Sequence, residues 1–205
     1  MKITNELMQE VALYVNHYMQ VNNNPALFYH NEKHTHHVVE ACNIIGSNSG
    51  LDKQDQMTLH LAAWFHDIGY LTKPDGHEAL GATMAAVYFR GKGLNEDIIS
   101  QIEKCILATH MPQQPHGLLE QVICDADLQY LGSGDFEYIS GMLRKEFAAE
   151  KGKVFTDEEW IRFNLDFLGN HGFYTSFARQ TYNEQKRKNI HILEQKLGAL
   201  TASVK

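Results

Sequence analysis

An all-α fold is predicted for this 205-residue chain, and three observations predict it. Apolar residues recur at three- and four-residue steps through most of the sequence. No stretch shows the strict alternation of a half-buried strand bounded by turn residues. The four prolines, Pro25, Pro74, Pro112 and Pro115, fall where the apolar pattern breaks.

The elements follow in order. Leu7, Val11, Tyr14, Val15 and Tyr18 make one helix stripe, with Thr4 placed to cap it. Val38, Ala41, Cys42 and Ile45 make a second, which is expected to stop at the "GSNSG" loop. Further helices are expected at about 53–66, 78–90, 95–110, 117–127 and 135–150. Thr156 followed by Glu159 has the form of a capping box opening a helix through Leu168. A last helix carries Ile190, Leu193, Leu197 and Leu200 on one face. No repeat, low-complexity block or linker divides the chain, so residues 1–205 are expected to form a single helical domain. Its motif-bearing core spans about 30–130 and its C-terminal helices about 135–200.

Composition narrows the function classes. Hydrophobic residues at 43% and charged residues at 21% suit a soluble globular protein and not a disordered one. With 18 Lys+Arg against 25 Asp+Glu the net charge is −7, which argues against a duplex nucleic-acid binder. No apolar run approaches the ~18 residues of a membrane span, and Glu6 and Glu10 stand where a signal peptide would be apolar. Cys42, Cys105 and Cys124 are odd in number and lack a C-x-x-C pair, so reduced core thiols and a cytoplasmic location are expected.

The unusual number is 12 His, and their positions carry the chemistry. In "WFHDIGY", His66 and Asp67 follow the apolar run Leu61–Phe65 and precede Gly69, a residue suited to a helix C-terminus. A buried carboxylate needs a partner, either a metal or a plain His–Asp hydrogen bond. His34 lies in line with the buried face of its helix, His110 ends the helix carrying Ile98, Ile102 and Ile106, and Asp127 follows Val122 and Ile123. His77 begins a helix after the "KPDG" turn. Helix ends that deliver imidazole and carboxylate, without thiolate, suit a catalytic Fe, Mn, Co, Ni or Zn site better than a structural zinc. The alternative for His77 is a solvated first-turn residue, and for His110 a side chain favoured by the helix dipole.

The order His34, His66-Asp67, Asp127 resembles the H…HD…D signature of the HD-domain superfamily of metal-dependent phosphohydrolases. "YHNEKHTHHVV", "AAWFHDIGY", "HEALGA", "ILATH" and "DADLQYLG" look like blocks of its small members, and "MLRKEF" and Phe173-Tyr174-Thr175 are similar to their C-terminal parts. The likeness covers residues 30–200. It implies an all-α fold in which His34, His66, Asp67 and Asp127 bind one divalent ion (Fe, Mn, Co, Ni, Zn or Mg). In members with two ions, positions matched here by His77 and His110 complete the set and the HD aspartate bridges.

Such an ion acidifies its bound water and neutralises phosphate charge, so hydrolysis of a nucleotide or another small phosphate ester is the expected reaction, with Asp67 catalytic. In the "YHNxxH" pattern of cyclic-nucleotide phosphodiesterases, of the same superfamily, the first His is the general acid. That role is carried to His30, for which a structural part is the alternative. Arg144 is the best candidate to hold phosphate oxygens, with Lys73 and Lys145 as further cations or ordinary surface charges. Glu78 either orders a water at the metal or favours its helix N-terminus. Tyr29, Trp64, Phe65 and Tyr70 read as core rather than as a base-stacking platform. The six-ligand pattern also resembles HD-fold diiron oxygenases that cleave C–C or C–P bonds, and a nucleotide sensor without turnover is the third reading. The expected partner is a small phosphorylated substrate, with no duplex nucleic acid and no membrane; the sequence leaves oligomeric state open.

Overall fold

The computed structural model describes residues 2–202. Among them the chain forms nine α-helices and two short 3₁₀ turns, with no strand. The helices are α1 (Asn5–Val21), α2 (Glu32–Asn48), α3 (Lys53–Phe65), α4 (His77–Gly91), α5 (Glu96–Ala108), α6 (Leu118–Asp127), α7 (Phe136–Lys151), α8 (Asp157–Asn170) and α9 (Ser176–Ala202). The 3₁₀ turns are Ile68–Leu71 and Gln129–Gly132. None of the described helices is long and apolar enough to cross a membrane.

The chain divides into two compact units, one of residues up to 24 with 30–127, the other of residues 25–29 with 128 onward. In the first unit α3 is the hub and packs against α1, α2, α4, α5 and α6. Every residue from Leu61 to Tyr70 is buried, so the helix and the turn after it are enclosed on all sides. Short polar side chains start the surrounding helices. Thr4 Oγ1 accepts the Leu7 N–H at 3.2 Å, and Asp52 and Asn95 cap α3 and α5 in the same way. Cys42, Cys105 and Cys124 are free and buried in this core.

Two helix ends differ from the sequence expectation. α2 does not stop at Gly46 but runs to Asn48, because this glycine serves packing: a Cβ there would lie 3.1 Å from Leu51 Cδ1 and 3.4 Å from Leu59 Cδ2. α5 ends at Ala108 with Thr109 as its cap, so His110 lies just outside the helix.

The second unit is built on α7, α8 and α9. Tyr29, Tyr130, Leu131, Phe136, Ile161, Leu168, Phe173 and Leu193 form its core. The capping box is present with both of its hydrogen bonds, Thr156 Oγ1 accepting from Glu159 N and Glu159 Oε2 from Thr156 N. Inside, Trp160 Nε1 donates to Ser140 Oγ, which donates to Asn164 Oδ1. The fully buried Glu146 accepts the Tyr29 N–H at 2.7 Å.

Candidate metal centre

Three helices and one turn of the first unit bring the ligand candidates together. Asn31 caps α2, its Oδ1 accepting the N–H groups of Lys33 and His34 at 3.0 and 3.3 Å, which sets His34 in the first turn. α2 packs on both α3 and α6. α3 ends at Phe65, His66 is its cap, and the 3₁₀ turn follows Asp67. Adjacent residues on a helix diverge by about 100°, and the change of winding here lets His66 and Asp67 turn to the same place. Asp127 is the last residue of α6.

His34, His66 and Asp127 each offer a ligand atom within 4.8 Å of the other two. His34 Nε2 lies 3.3 Å from His66 Nε2 and 3.2 Å from Asp127 Oδ1. Asp67 joins through Oδ2, 3.3 Å from His34 Nε2 and 3.1 Å from His66 Nε2. This buried oxygen has no hydrogen-bond partner of ordinary geometry among the described residues. The other Asp67 oxygen, Oδ1, faces His77 Nε2 at 3.3 Å.

The far sides of two rings explain which nitrogen faces inward. His66 Nδ1–H donates to the Ala63 carbonyl at 2.8 Å, and His77 Nδ1–H donates to the Pro74 carbonyl at 2.7 Å. A carbonyl only accepts, so Nδ1 holds the proton and the neutral ring presents its Nε2 lone pair to the cluster. Imidazole nitrogens and carboxylate oxygens that converge this closely in a buried place are the donor set of a divalent ion, and these residues fit one.

The close approach of the turn to α4 holds His77 against Asp67. A Cβ on Gly69 would lie 2.2 Å from the His77 carbonyl oxygen and 2.9 Å from Gly81 N, and one on Gly81 would lie 2.9 Å from the Phe65 carbonyl oxygen. Both positions need hydrogen in place of a side chain. The φ of Gly69 is not positive, so the sequence reading of it as a helix-terminating residue gives way to one of space. Gly76, which caps α4 with φ 72°, does need the left-handed region.

The charges are strongly linked. Burial opposes protonation of His34, but the facing Asp127 and Asp67 outweigh it and push its pKa up to about 9. At His77 burial is likewise outweighed, by Asp67, the Pro74 carbonyl and Glu78, and the pKa is pushed up to about 9. The imidazoles around Asp67 hold its carboxyl well below the usual carboxylate range despite burial. Without metal, His34 and His77 therefore contribute stability that is full below their ordinary pKa near 6.5 and lost as pH rises to about 9. The melting temperature of chelator-treated protein is expected to fall between pH 6.5 and 9. A divalent ion must displace those protons, so its stabilisation should grow over the same interval. Thermal melts across this range with and without metal check both trends.

The other candidates divide. His30 is half-buried, stacked on Tyr70 at 3.8 Å between ring centroids, and 6.0 Å from the rings of both His34 and His77. Glu78 is buried, with Oε2 3.6 Å from His77 Nδ1. His110 is exposed beyond the Thr109 cap, and Lys73 is exposed in the loop after the turn. In the second unit Lys145 is exposed, and Arg144 donates to Asp157 Oδ1 at 2.7 Å and to the Phe155 carbonyl at 2.5 Å. Sequence reasoning missed Gln113, whose Nε2 donates to Asp127 Oδ2 at 3.4 Å, because nothing local marks a loop glutamine as turned inward.

Known proteins resemble the chain in sequence and fold. Residues 31–128 match the model of the HD domain family. The fold resembles a predicted HD superfamily hydrolase from an uncultured Thermotogales bacterium, with TM-score 0.61 and 19% identity over 94% of this chain and 92% of that one. It also resembles a Listeria innocua protein, with TM-score 0.56 and 20% identity over 95% of each chain. Bacillus subtilis YpgQ, solved in complex with ADP, gives TM-score 0.65 and 16% identity over 92% of this chain and 94% of its own. No curated protein matches the sequence.

Proposed function

We propose that the chain, whose residues 31–128 match the HD domain, is a metal-dependent hydrolase of that superfamily and hydrolyses a nucleotide or a related small phosphate ester. The observation that carries the reading is the approach of His34 Nε2, His66 Nε2 and Asp127 Oδ1 within 4.8 Å of one another, beside an Asp67 oxygen that accepts no hydrogen bond of ordinary geometry. His34, His66, Asp67 and Asp127 would hold one divalent ion. Asp67 faces His34 and His66 with Oδ2 and His77 with Oδ1. That division supports His77 as a holder of a second ion beside Asp67, and the exposed His110 would be its further ligand. A bound divalent ion supplies acidified water at neutral pH and neutralises phosphate charge.

The protein's own groups do the rest. His30, stacked on Tyr70 beside the cluster, is the proposed proton donor to the leaving oxygen. Lys73, Lys145 and Arg144 are the proposed cationic contacts for phosphate. The Arg144–Asp157 pair is worth no more than about 1 kcal/mol because Asp157 is largely exposed, so a phosphate dianion can displace it. The ADP held by a protein of the same fold supports a nucleotide as the substrate class.

Metal analysis of protein purified without chelator, followed by a panel of nucleotides and phosphosugars, tests the proposal. Bound metal and phosphate or pyrophosphate release are expected. Absence of both metal and turnover defeats it. Oxygen consumption by iron-loaded protein with an organic substrate, and no ester hydrolysis, replaces it with oxygenase chemistry.

A further inference from the structure

Between α5 and α6, one side chain of an exposed loop is turned inward. His110, Met111, Pro112 and Gln114 are exposed, whereas Gln113 is 8% exposed. Burying a long amide costs about 1.5–2 kcal/mol of side-chain freedom, besides the penalty for any polar atom left unsatisfied. Gln113 meets a metal-ligand candidate: its Nε2 donates to Asp127 Oδ2. The other oxygen, Oδ1, is the one near His34 Nε2 at 3.2 Å and His66 Nε2 at 3.8 Å. The two oxygens of Asp127 thus have different employments, the outer one tied to the loop and the inner one directed at the imidazoles.

We propose that Gln113 is a positioning residue that makes Asp127 a one-oxygen ligand, fixing both the direction of Oδ1 and the number of donors the ion meets. The inference rests on the metal-site reading above. An ionised carboxylate near a divalent ion can bind through one oxygen or chelate through two, and a donor on the outer oxygen both orients the group and competes with chelation. Without the amide, Asp127 is free to rotate about its terminal bond, so Oδ1 is no longer held toward the imidazoles and the number of donors is no longer fixed.

The test uses full-length parent, Gln113→Met and Gln114→Met proteins, stripped by chelator and titrated with Co(II). Methionine keeps the length of the glutamine and removes the donor. Affinity is read by competition with a chromophoric chelator, and coordination by the visible Co(II) spectrum. Gln113→Met is expected to bind about 10–100-fold more weakly and with altered Co(II) band intensity, at unchanged helix content. Gln114→Met should retain the parent's affinity and spectrum. Should Gln113→Met lose helix content, Gln113→Asn, whose amide is one methylene short, carries the same expectation. Parental affinity and spectrum in a folded Gln113 variant overturn the inference and leave the metal site standing. A parent that binds no Co(II) overturns the site, and the inference with it.

Discussion

Asp67→Ala protein is expected to purify without metal and, on the proposed function, to hydrolyse a phosphate ester about 10³-fold or more slowly, since metal assistance is worth several kcal/mol of transition-state stabilisation. The substitution removes the group that His34, His66 and His77 all face. It also removes the negative charge that, with Asp127, raises the His34 pKa, so the imidazoles would shed protons and the pH dependence of the metal-free melting temperature should flatten. Metal content, kcat/KM and the melting profile together check the result. Loss of metal with turnover at the parent rate would show that the activity belongs to another protein and that the mechanism is wrong.

The largest effect on stability is expected from Gly69→Ala. The added methyl would lie 2.2 Å from the His77 carbonyl oxygen and 2.9 Å from Gly81 N, both backbone atoms with no rotamer to offer. Overpacking costs about 1–3 kcal/mol where side chains can yield, and a backbone clash in the buried turn should reach the upper end or exceed it. Because α4 must retreat to make room, His77 leaves Asp67 and metal affinity falls as well. Gly141→Ala in α7, where a Cβ meets nothing within 4 Å, is the control and should gain about 0.5–1 kcal/mol. Denaturant melts of the two variants should move in opposite directions. A Gly69→Ala protein as stable as the parent would remove the packing account of the turn.

What could be read in advance, and what could not, follows from the range of the interactions. The Thr4 cap and the Thr156–Glu159 capping box are local patterns and are found as expected. The all-α class follows from periodicity over many residues, which tertiary packing did not override. His34, His66 and Asp127 could be picked out because a polar group at the end of an apolar stripe is conspicuous, and they do come together. Gly46 and Gly69 were misread for one reason. A glycine is a local breaker or a tertiary spacer according to what lies opposite, and the sequence near Gly69 says nothing of the His77 carbonyl. Gln113 was invisible for the same reason, since its partner lies fourteen residues away across a loop. Arg144 stood out as a phosphate ligand by residue type, while its pairing with Asp157 depends on how α7 meets the start of α8.

The carbonyls of Ala63 and Pro74 fix the rings of His66 and His77, each from three residues upstream. Their acceptors belong to the main chain, so which nitrogen of each ring faces the cluster is encoded in the path of the polypeptide, while the carboxylates of Asp67, Asp127 and Glu78 set how readily the rings hold a proton. A mutational scan would find the histidines and the spacing glycines intolerant while registering little at positions 63 and 74 beyond their packing. The two acceptors that orient these rings are thus silent to residue-by-residue substitution. A related chain could replace the side chains at positions 63 and 74 and still inherit the tautomer and direction of these two rings, provided the helix end and the turn keep their course.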